Sequence, residues 1–186
     1  MEVVKDVYMM GCTERSHVYL IKSQENILID TGFPGLGEKI IDEIKALGID
    51  PKSIKHILLT HHDVDHIGNA RFLQQETGAK LWASVEDVPY VTGKTNRSGV
   101  KRIVQALVKH ENPVVDNTYL LDQNFGELSV IKTPGHTPGH VIFAYKNILF
   151  TGDLFKIKDG DFKSMAKYMN WNQVQVEKIN WNIKEV

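Results

Sequence analysis

A single cysteine, Cys12, stands among 186 residues, so no disulfide can close within the chain and no zinc knuckle can be built on cysteine pairs. Any metal would have to be held by histidine and carboxylate. There is no excess of charge of either sign: 22 Lys and Arg face 23 Asp and Glu, a formal net charge of -1. That balance leaves no electrostatic footprint for nucleic acid or for an anionic membrane. An uncharged apolar run near the roughly 18 residues of a membrane span is missing too. The opening Met1-Glu2-Val3-Val4-Lys5-Asp6 places acid where a secretory leader is basic. The expectation is a cytoplasmic protein whose partner is a small-molecule substrate, with no nucleic acid and no membrane; composition leaves the oligomeric state open.

What is there is an ordinary globular composition, 42% hydrophobic and 24% charged, at a length that fits one domain over residues 1–186. Residues 18–20, 27–29 and 57–59 are short, rich in β-branched side chains and flanked by turn signals, so they read as buried strands. Leu36, Ile40, Ile41, Ile44 and Leu47 recur at helical spacing after Pro34-Gly35, and Gly48 sits where a left-handed cap ends a helix. A second helix is expected over 67–77, with Ile67, Ala70 and Leu73 on one stripe and Gly78 at its end. Residues 81–83 resume strand, 92–99 read as an exposed polar loop, and Val100, Ile103, Val104, Leu107 and Val108 return to helical spacing. Further strands are expected over 127–132, 140–145 and 148–150, the last two joined by a turn at Lys146-Asn147. A final helix follows, with Asn172 and Gln175 spaced as a capping box and Val176, Ile179 and Ile183 as its buried stripe. This alternation of strand and helix indicates an α/β layered fold.

The densest signal is Thr60-His61-His62-Asp63-Val64-Asp65-His66, directly after a buried strand. Eight histidines in the chain average about one in 23, yet three fall here within six positions. Imidazole nitrogens and carboxylate oxygens at alternate positions can converge on one or two divalent ions. A second histidine turn, Thr133-Pro134-Gly135-His136-Thr137-Pro138-Gly139-His140, lies between strands. Two strands end in carboxylates, Leu28-Ile29-Asp30-Thr31-Gly32 and Leu149-Phe150-Thr151-Gly152-Asp153. Each of these is weak alone, since an Asp after a strand is commonly a cap; the four in this order are strong.

These motifs, across nearly the whole chain, resemble the metallo-β-lactamase superfamily, in its hydroxyacylglutathione hydrolase and lactonase-like branch. The resemblance implies a four-layer αββα sandwich with a dinuclear metal site at one edge of the two sheets. It implies that His61, Asp63 and His136 hold a first metal, that Asp65 and His66 hold a second, and that Asp153 bridges them. Asp30 would order the metal-binding loop without being a ligand, with His62 and His140 as supporting residues. Two departures from the family pattern stand out. Asp63 occupies the place of the family's second histidine, which adds negative charge and lowers selectivity for zinc over manganese or iron; His62, next to it on an extended segment, points the other way. The family's last histidine has no match in the 33 residues after Asp153, so a C-terminally shortened member with a weaker second metal position is expected.

The function so implied is metal-dependent hydrolysis of an activated acyl ester, thioester or lactone through a metal-bound hydroxide, since metals lower the pKa of a bound water from about 16 toward 7. Asp65 would orient that nucleophile. One or two divalent ions are expected, zinc first, with manganese or iron admitted. The alternatives are a degenerate, non-catalytic metal-binding scaffold and a diiron redox protein. Lys94, Arg97, Lys101 and Arg102 are candidates for positive charge at the mouth or for plain solvated surface. His17 reads as a packing or surface residue, His56 and His110 as solvated, and Trp171 and Trp181 as core anchors on the last helix.

Overall fold

Strands buried on both faces organise the chain. The computed structural model describes residues 1–14, 16–158 and 161–184, with their side chains except those of 157, 158, 162 and 180–184. The first sheet runs in sequence order through β1 (Glu2–Val4), β2 (Val7–Met9), β3 (Tyr19–Ile21), β4 (Asn26–Ile29), β5 (Ile54–Leu58), β6 (Lys80–Ala83) and β7 (Asn117–Thr118). Its first four strands are antiparallel; from β4 onward the pairing is parallel. Parallel neighbours need crossovers. These are α1 (Gly37–Ala46) between β4 and β5, then α2 (Val64–Ile67) with α3 (Ala70–Thr77) before β6, then α4 (Val88–Val91) and α5 (Gly99–Leu107) before β7. The second sheet, antiparallel, places β8 (Asn124–Phe125), β9 (Leu128–Lys132), β10 (Val141–Tyr145) and β11 (Ile148–Phe150) in the order β11-β10-β9-β8. A hairpin of β12 (Phe155–Lys158) and β13 (Asp161–Ser164) leads to α6 (Gln173–Lys184).

Alternation along the strands makes the layers. Leu20, Leu28 and Ile57 face Ile40 and Ile44 of α1 and Leu73 of α3. The intervening Ile21, Ile27, Ile29 and Leu58 face Val141, Phe143 and Tyr145 of β10, Leu128 of β9 and Phe150 of β11. Side chains on the strand period of two thus supply a helix-to-sheet core and a sheet-to-sheet core from one sheet. On the far side of β10, Ile142 packs with Leu154 and Val176 of α6. The result is the four-layer αββα sandwich, with both sheets' strand ends meeting where Val141 N–H donates to Thr60 O at 2.9 Å.

The expected helix over 67–77 is split in two, because Gly68 and Asn69 serve the turn between α2 and α3. A Cβ at Gly68 would stand 2.4 Å from the backbone nitrogen of Pro34, so only glycine lets the two segments touch. Gly68 N–H donates to Gly32 O at 3.1 Å. The strand expected at 18–20 begins one residue later. At α6, Asn172 Oδ1 accepts from Gln175 N–H at 3.2 Å, half of a capping box; Val176 is buried, and the Ile183 and Trp181 side chains lie outside the described residues. Trp171 overturns its expectation as a core anchor: it precedes the helix and is 54% exposed. Among the described residues no helix is long and apolar enough to cross a membrane.

Asn69 fastens the loop that carries Asp30 to α1. Its Oδ1 accepts from the N–H groups of Gly35, Leu36 and Gly37 at 3.0, 3.1 and 3.0 Å, while Nδ2 donates to Thr31 O and Phe33 O at 2.6 and 2.8 Å. With each such bond contributing about 1 kcal/mol and buried partners left unpaired, Asn69→Ala is expected to lower stability by about 3 kcal/mol. Urea unfolding of the two proteins measures this; a loss below about 1 kcal/mol would show that the loop holds without it.

Candidate metal centre

The site forms where β4, β5 and β11 end and β10 begins. Asp30, immediately after β4, has φ of 59°, a left-handed conformation that Asp tolerates better than most residues. It turns the carboxylate back across the sheet edge. Oδ1 accepts from Thr60 N–H at 2.8 Å, and Oδ2 accepts from Thr60 Oγ1 at 2.7 Å and His66 Nδ1 at 2.8 Å. Thr31 N–H and Oγ1 both donate to His66 O at 2.8 Å. One buried carboxylate therefore joins the ends of β4 and β5 to α2.

These bonds fix which nitrogen of each histidine is free. Thr60 gives its hydroxyl proton to Asp30, so it accepts from His61 Nδ1 at 2.9 Å. His66 gives its Nδ1 proton to Asp30. Asn170 Nδ2 is engaged with Gln173 Oε1 and Met165 O, so Asn170 Oδ1 faces His136 and accepts from Nδ1 at 2.8 Å. All three rings thus carry a proton on Nδ1, donate it to a protein acceptor and aim Nε2 inward, the arrangement that prepares an imidazole to ligate metal. The Nε2 atoms of His61 and His66 are buried with no hydrogen-bond partner. The His136 turn is held from below by Trp171 N–H donating to His136 O at 3.0 Å and Asn172 N–H donating to Gly135 O at 2.8 Å.

Carboxylates meet those nitrogens at ligand spacing. Asp63 Oδ2 lies 3.0 Å from His136 Nε2 and 3.5 Å from His61 Nε2, while Asp153 reaches His66 Nε2 at 3.4 Å through Oδ1 and His136 Nε2 at 3.6 Å through Oδ2. Two donors bound tetrahedrally to one ion at about 2 Å stand roughly 3.3 Å apart. Two groups gather one donor atom per residue within 4.8 Å of one another: His61, Asp63, His136 and Asp153, and Asp65, His66 and Asp153. Asp153 belongs to both. The His61 and His136 rings are 4.9 Å apart although 75 residues separate them in the chain. Burial lowers His61 well below the ordinary imidazole range. Against the same pull, the Asp30 and Asp153 carboxylates raise His66, and the His136, His61 and Lys101 contacts hold Asp63 well below the usual carboxylate range. Burial raises the Asp65 carboxyl.

His62 points out of the cluster. Its ring stacks on Tyr90 at 4.4 Å and sets Nδ1 3.1 Å from Asp87 Oδ2. His140 Nδ1 is bonded to Thr133 Oγ1 at 2.8 Å, and burial pushes its pKa down to about 3. The basic residues divide between the two roles open to them, charge near the site and solvated surface. Lys94 and Arg102 are exposed, but Arg97 is 3% exposed and its guanidinium donates to His62 O. Lys101 enters the first cluster, its Nζ 2.6 Å from Asp63 Oδ2 and 3.0 Å from His136 Nε2. His56 and His110 are half-buried instead of solvated, His56 accepting from Trp82 Nε1 at 3.1 Å; His17 is exposed against Tyr19.

Sequence reading missed Asp87 and Asn170. Asp87 accepts from His62 N–H at 3.1 Å, from Thr137 Oγ1 at 2.8 Å and from Gly139 N–H at 2.8 Å, so it pins the two histidine turns together. Its signal was an acid shortly after a buried strand, the same cue as Asp30 and Asp153. Nothing local marks Asn170. Cavities of about 190 Å³, lined by Tyr90, Lys101, His136 and Trp171, and about 740 Å³, lined by Tyr19, His66, Phe150 and Asp153, flank the cluster on either side.

Comparison with known proteins fits this geometry. Residues 13–165 match the family described as the metallo-β-lactamase superfamily. A Bacillus subtilis protein named probable metallo-hydrolase YybB is 31% identical over 150 residues, 75% of this chain and 61% of that protein. A hydroxyacylglutathione hydrolase of Shewanella baltica is 28% identical over 138 residues, 74% of this chain and 46% of that enzyme. The chain thus spans about half to two thirds of the length of these relatives. Among solved structures, a Cronobacter sakazakii metallo-β-lactamase with a HARLDQ motif aligns at TM-score 0.67 and 26% identity over 77% of this chain and 58% of that one. The FEZ-1 metallo-β-lactamase of Legionella gormanii aligns at TM-score 0.75 and 21% identity over 98% and 73%, a likeness of fold.

Asp30→Asn replaces an acceptor by an amide N–H opposite Thr60 and His66. It should cost about 2–4 kcal/mol of stability and, by freeing the His66 tautomer, weaken metal binding by roughly 10- to 100-fold. Urea unfolding and chelator competition measure the two effects; unchanged metal affinity would show that Asp30 does not orient His66 for ligation.

Proposed function

Because the chain belongs to the metallo-β-lactamase superfamily, we propose that it is a metal-dependent hydrolase of an activated acyl ester, thioester or lactone. The observation that carries the reading is the convergence of three imidazole Nε2 atoms, each with its other nitrogen committed to a protein acceptor, on the Asp63 and Asp153 carboxylates. His61, Asp63 and His136 would hold one ion, Asp65 and His66 a second, and Asp153 both, with zinc first and manganese or iron admitted by the added carboxylate. When bound, the metal supplies Lewis acidity and acidifies a water toward neutral pH.

The chain's own residues do the rest. Asp65 is the catalytic residue of this reading: its side chain is 41% exposed beside His66, whereas Asp63 is occupied by Lys101 and two histidines. The oxygen of its carboxylate not given to an ion would accept a hydrogen bond from the attacking water and take that proton. The water oxygen bonds to the acyl carbon, the carbon–sulfur or carbon–oxygen bond to the leaving group breaks, and the proton passes to the departing thiolate or alkoxide. Ser16 Oγ donates to Asp65 O and so fixes the backbone that carries this base. The larger flanking cavity, apolar at Tyr19, Phe150 and Phe155, offers room for the acyl or leaving group.

One observation favours a second reading, a non-catalytic scaffold: the Lys101 ammonium already answers the charge of Asp63. Turnover separates the two. With metal supplied, the wild type should hydrolyse members of a thioester and lactone panel, lose that activity to a chelator and regain it with zinc, manganese or iron. Asp65→Asn should lose at least about 100-fold in kcat, the ordinary worth of a positioned base. Equal rates in the two proteins would place the activity elsewhere, and no rate in either would establish the scaffold.

A further inference from the structure

Lys101 is the feature that a metal centre does not require. It projects from the first turn of α5, and its side chain is 12% exposed. Its Nζ contacts Asp63 Oδ2 at 2.6 Å, His136 Nε2 at 3.0 Å and His136 O at 3.4 Å. Those first two atoms are the inward-facing acceptors of the first cluster. His136 Nε2 has its lone pair free because the ring's proton is on Nδ1, which donates to Asn170 Oδ1, so it accepts from the ammonium as it would donate a pair to a metal. An ion bonded to both atoms would stand within about 4 Å of the ammonium in a buried site, where like charges repel strongly. The two cations draw on the same lone pairs and exclude each other.

The helix that carries Lys101 is poorly anchored otherwise. None of its residues is buried; Ile103 and Leu107, on its apolar stripe, are 61% and 78% exposed. It touches the short 3-10 turn Lys167–Met169, and Gln105 bonds back to Asn96 and Arg97 in the loop just before the helix. Arg97, by contrast, has its guanidinium on His62 O, outside the cluster.

We propose that Lys101 is a resident cation of the first cluster, which a divalent metal displaces on binding to His61, Asp63 and His136, and that its displacement releases α5 from the site. The inference rests on the reading of the cluster as a metal centre. Its consequence is reciprocal: the metal's apparent affinity is reduced by the fraction of molecules in which the lysine has left, and metal arrival opens the cavity under α5 that Lys101 and Tyr90 line.

The probe is zinc alone, added to the metal-free full chain against a chelating dye. Lys101→Met, which keeps the apolar stem and removes the charge, should bind the first zinc at least roughly tenfold more tightly than wild type, as follows when the lysine occupies the cluster in about nine molecules of ten or more. Arg102→Met, which removes an exposed charge from the same helix, should change affinity less than about twofold, as expected of a screened surface charge. Hydrogen exchange on the wild type is the second measurement and needs no variant: zinc should accelerate exchange over 99–107. Equal zinc affinity in wild type and Lys101→Met, or slower exchange over 99–107 on zinc addition, would overturn the lysine's role while leaving the metal centre intact. Absence of zinc uptake by both proteins would overturn the metal reading and this one with it.

Discussion

Carboxylates and imidazole nitrogens facing one another in a buried space require positive charge between them, carried by a proton, an ammonium or a metal ion. Asp63, Asp153 and the Nε2 atoms of His61, His66 and His136 are in that position, at separations of 3.0 to 3.6 Å. The rest of the architecture follows from keeping them there. The two sheets bring strand ends together, α2 and the turn before α6 supply donors and acceptors from behind, and Asp30 commits both Thr60 and His66 with one carboxylate. An orphaned buried acceptor costs a protein free energy, so several retained in one place are what a cation-binding site requires.

Much of this was legible in the sequence because it is local. The histidine turn lies within six residues, and the carboxylates of Asp30 and Asp153 each follow an apolar run that must be strand. Ile27 and Ile29 on one side and Leu28 on the other turn a continuous apolar stretch into a strand between two cores. Gly48 and Gly78, with φ of 71° and 75°, end α1 and α3 where their spacing implied. What escaped is non-local or depends on exposure. Arg97 and Lys101 sit in a polar, charged stretch that composition leaves open between charge at the site and solvated surface; only the tertiary approach of that stretch to Asp63 and His62 decides it and buries them. Asn170 and Asp87 act across 34 and 25 residues of chain on His136 and His62, with no motif to announce the pairing. Trp171 shows the same limit in reverse, a large aromatic left exposed because the helix begins after it.

The substitution of carboxylate for imidazole at Asp63 ties these points together. A neutral histidine there would give Lys101 no counter-charge, and the lysine would have little reason to be buried. With aspartate in place, the first cluster carries an extra negative charge that the ammonium or a metal can meet, and α5, which has no fully buried residue, brings that ammonium in. The physical chemistry of one residue therefore connects the charge of the site with the placement of a basic side chain from the helix over the smaller cavity.

The claim at the centre of this account is that the convergent donor set is a metal centre and not a self-contained polar network. Anomalous diffraction collected on either side of the zinc edge, from crystals of the full chain equilibrated with zinc, tests it directly. The account predicts a strong difference peak within ligand distance, about 2 Å, of His61 Nε2, Asp63 and His136 Nε2. A map with no peak there, and with Asp63 still paired to Lys101 at saturating zinc, would contradict it.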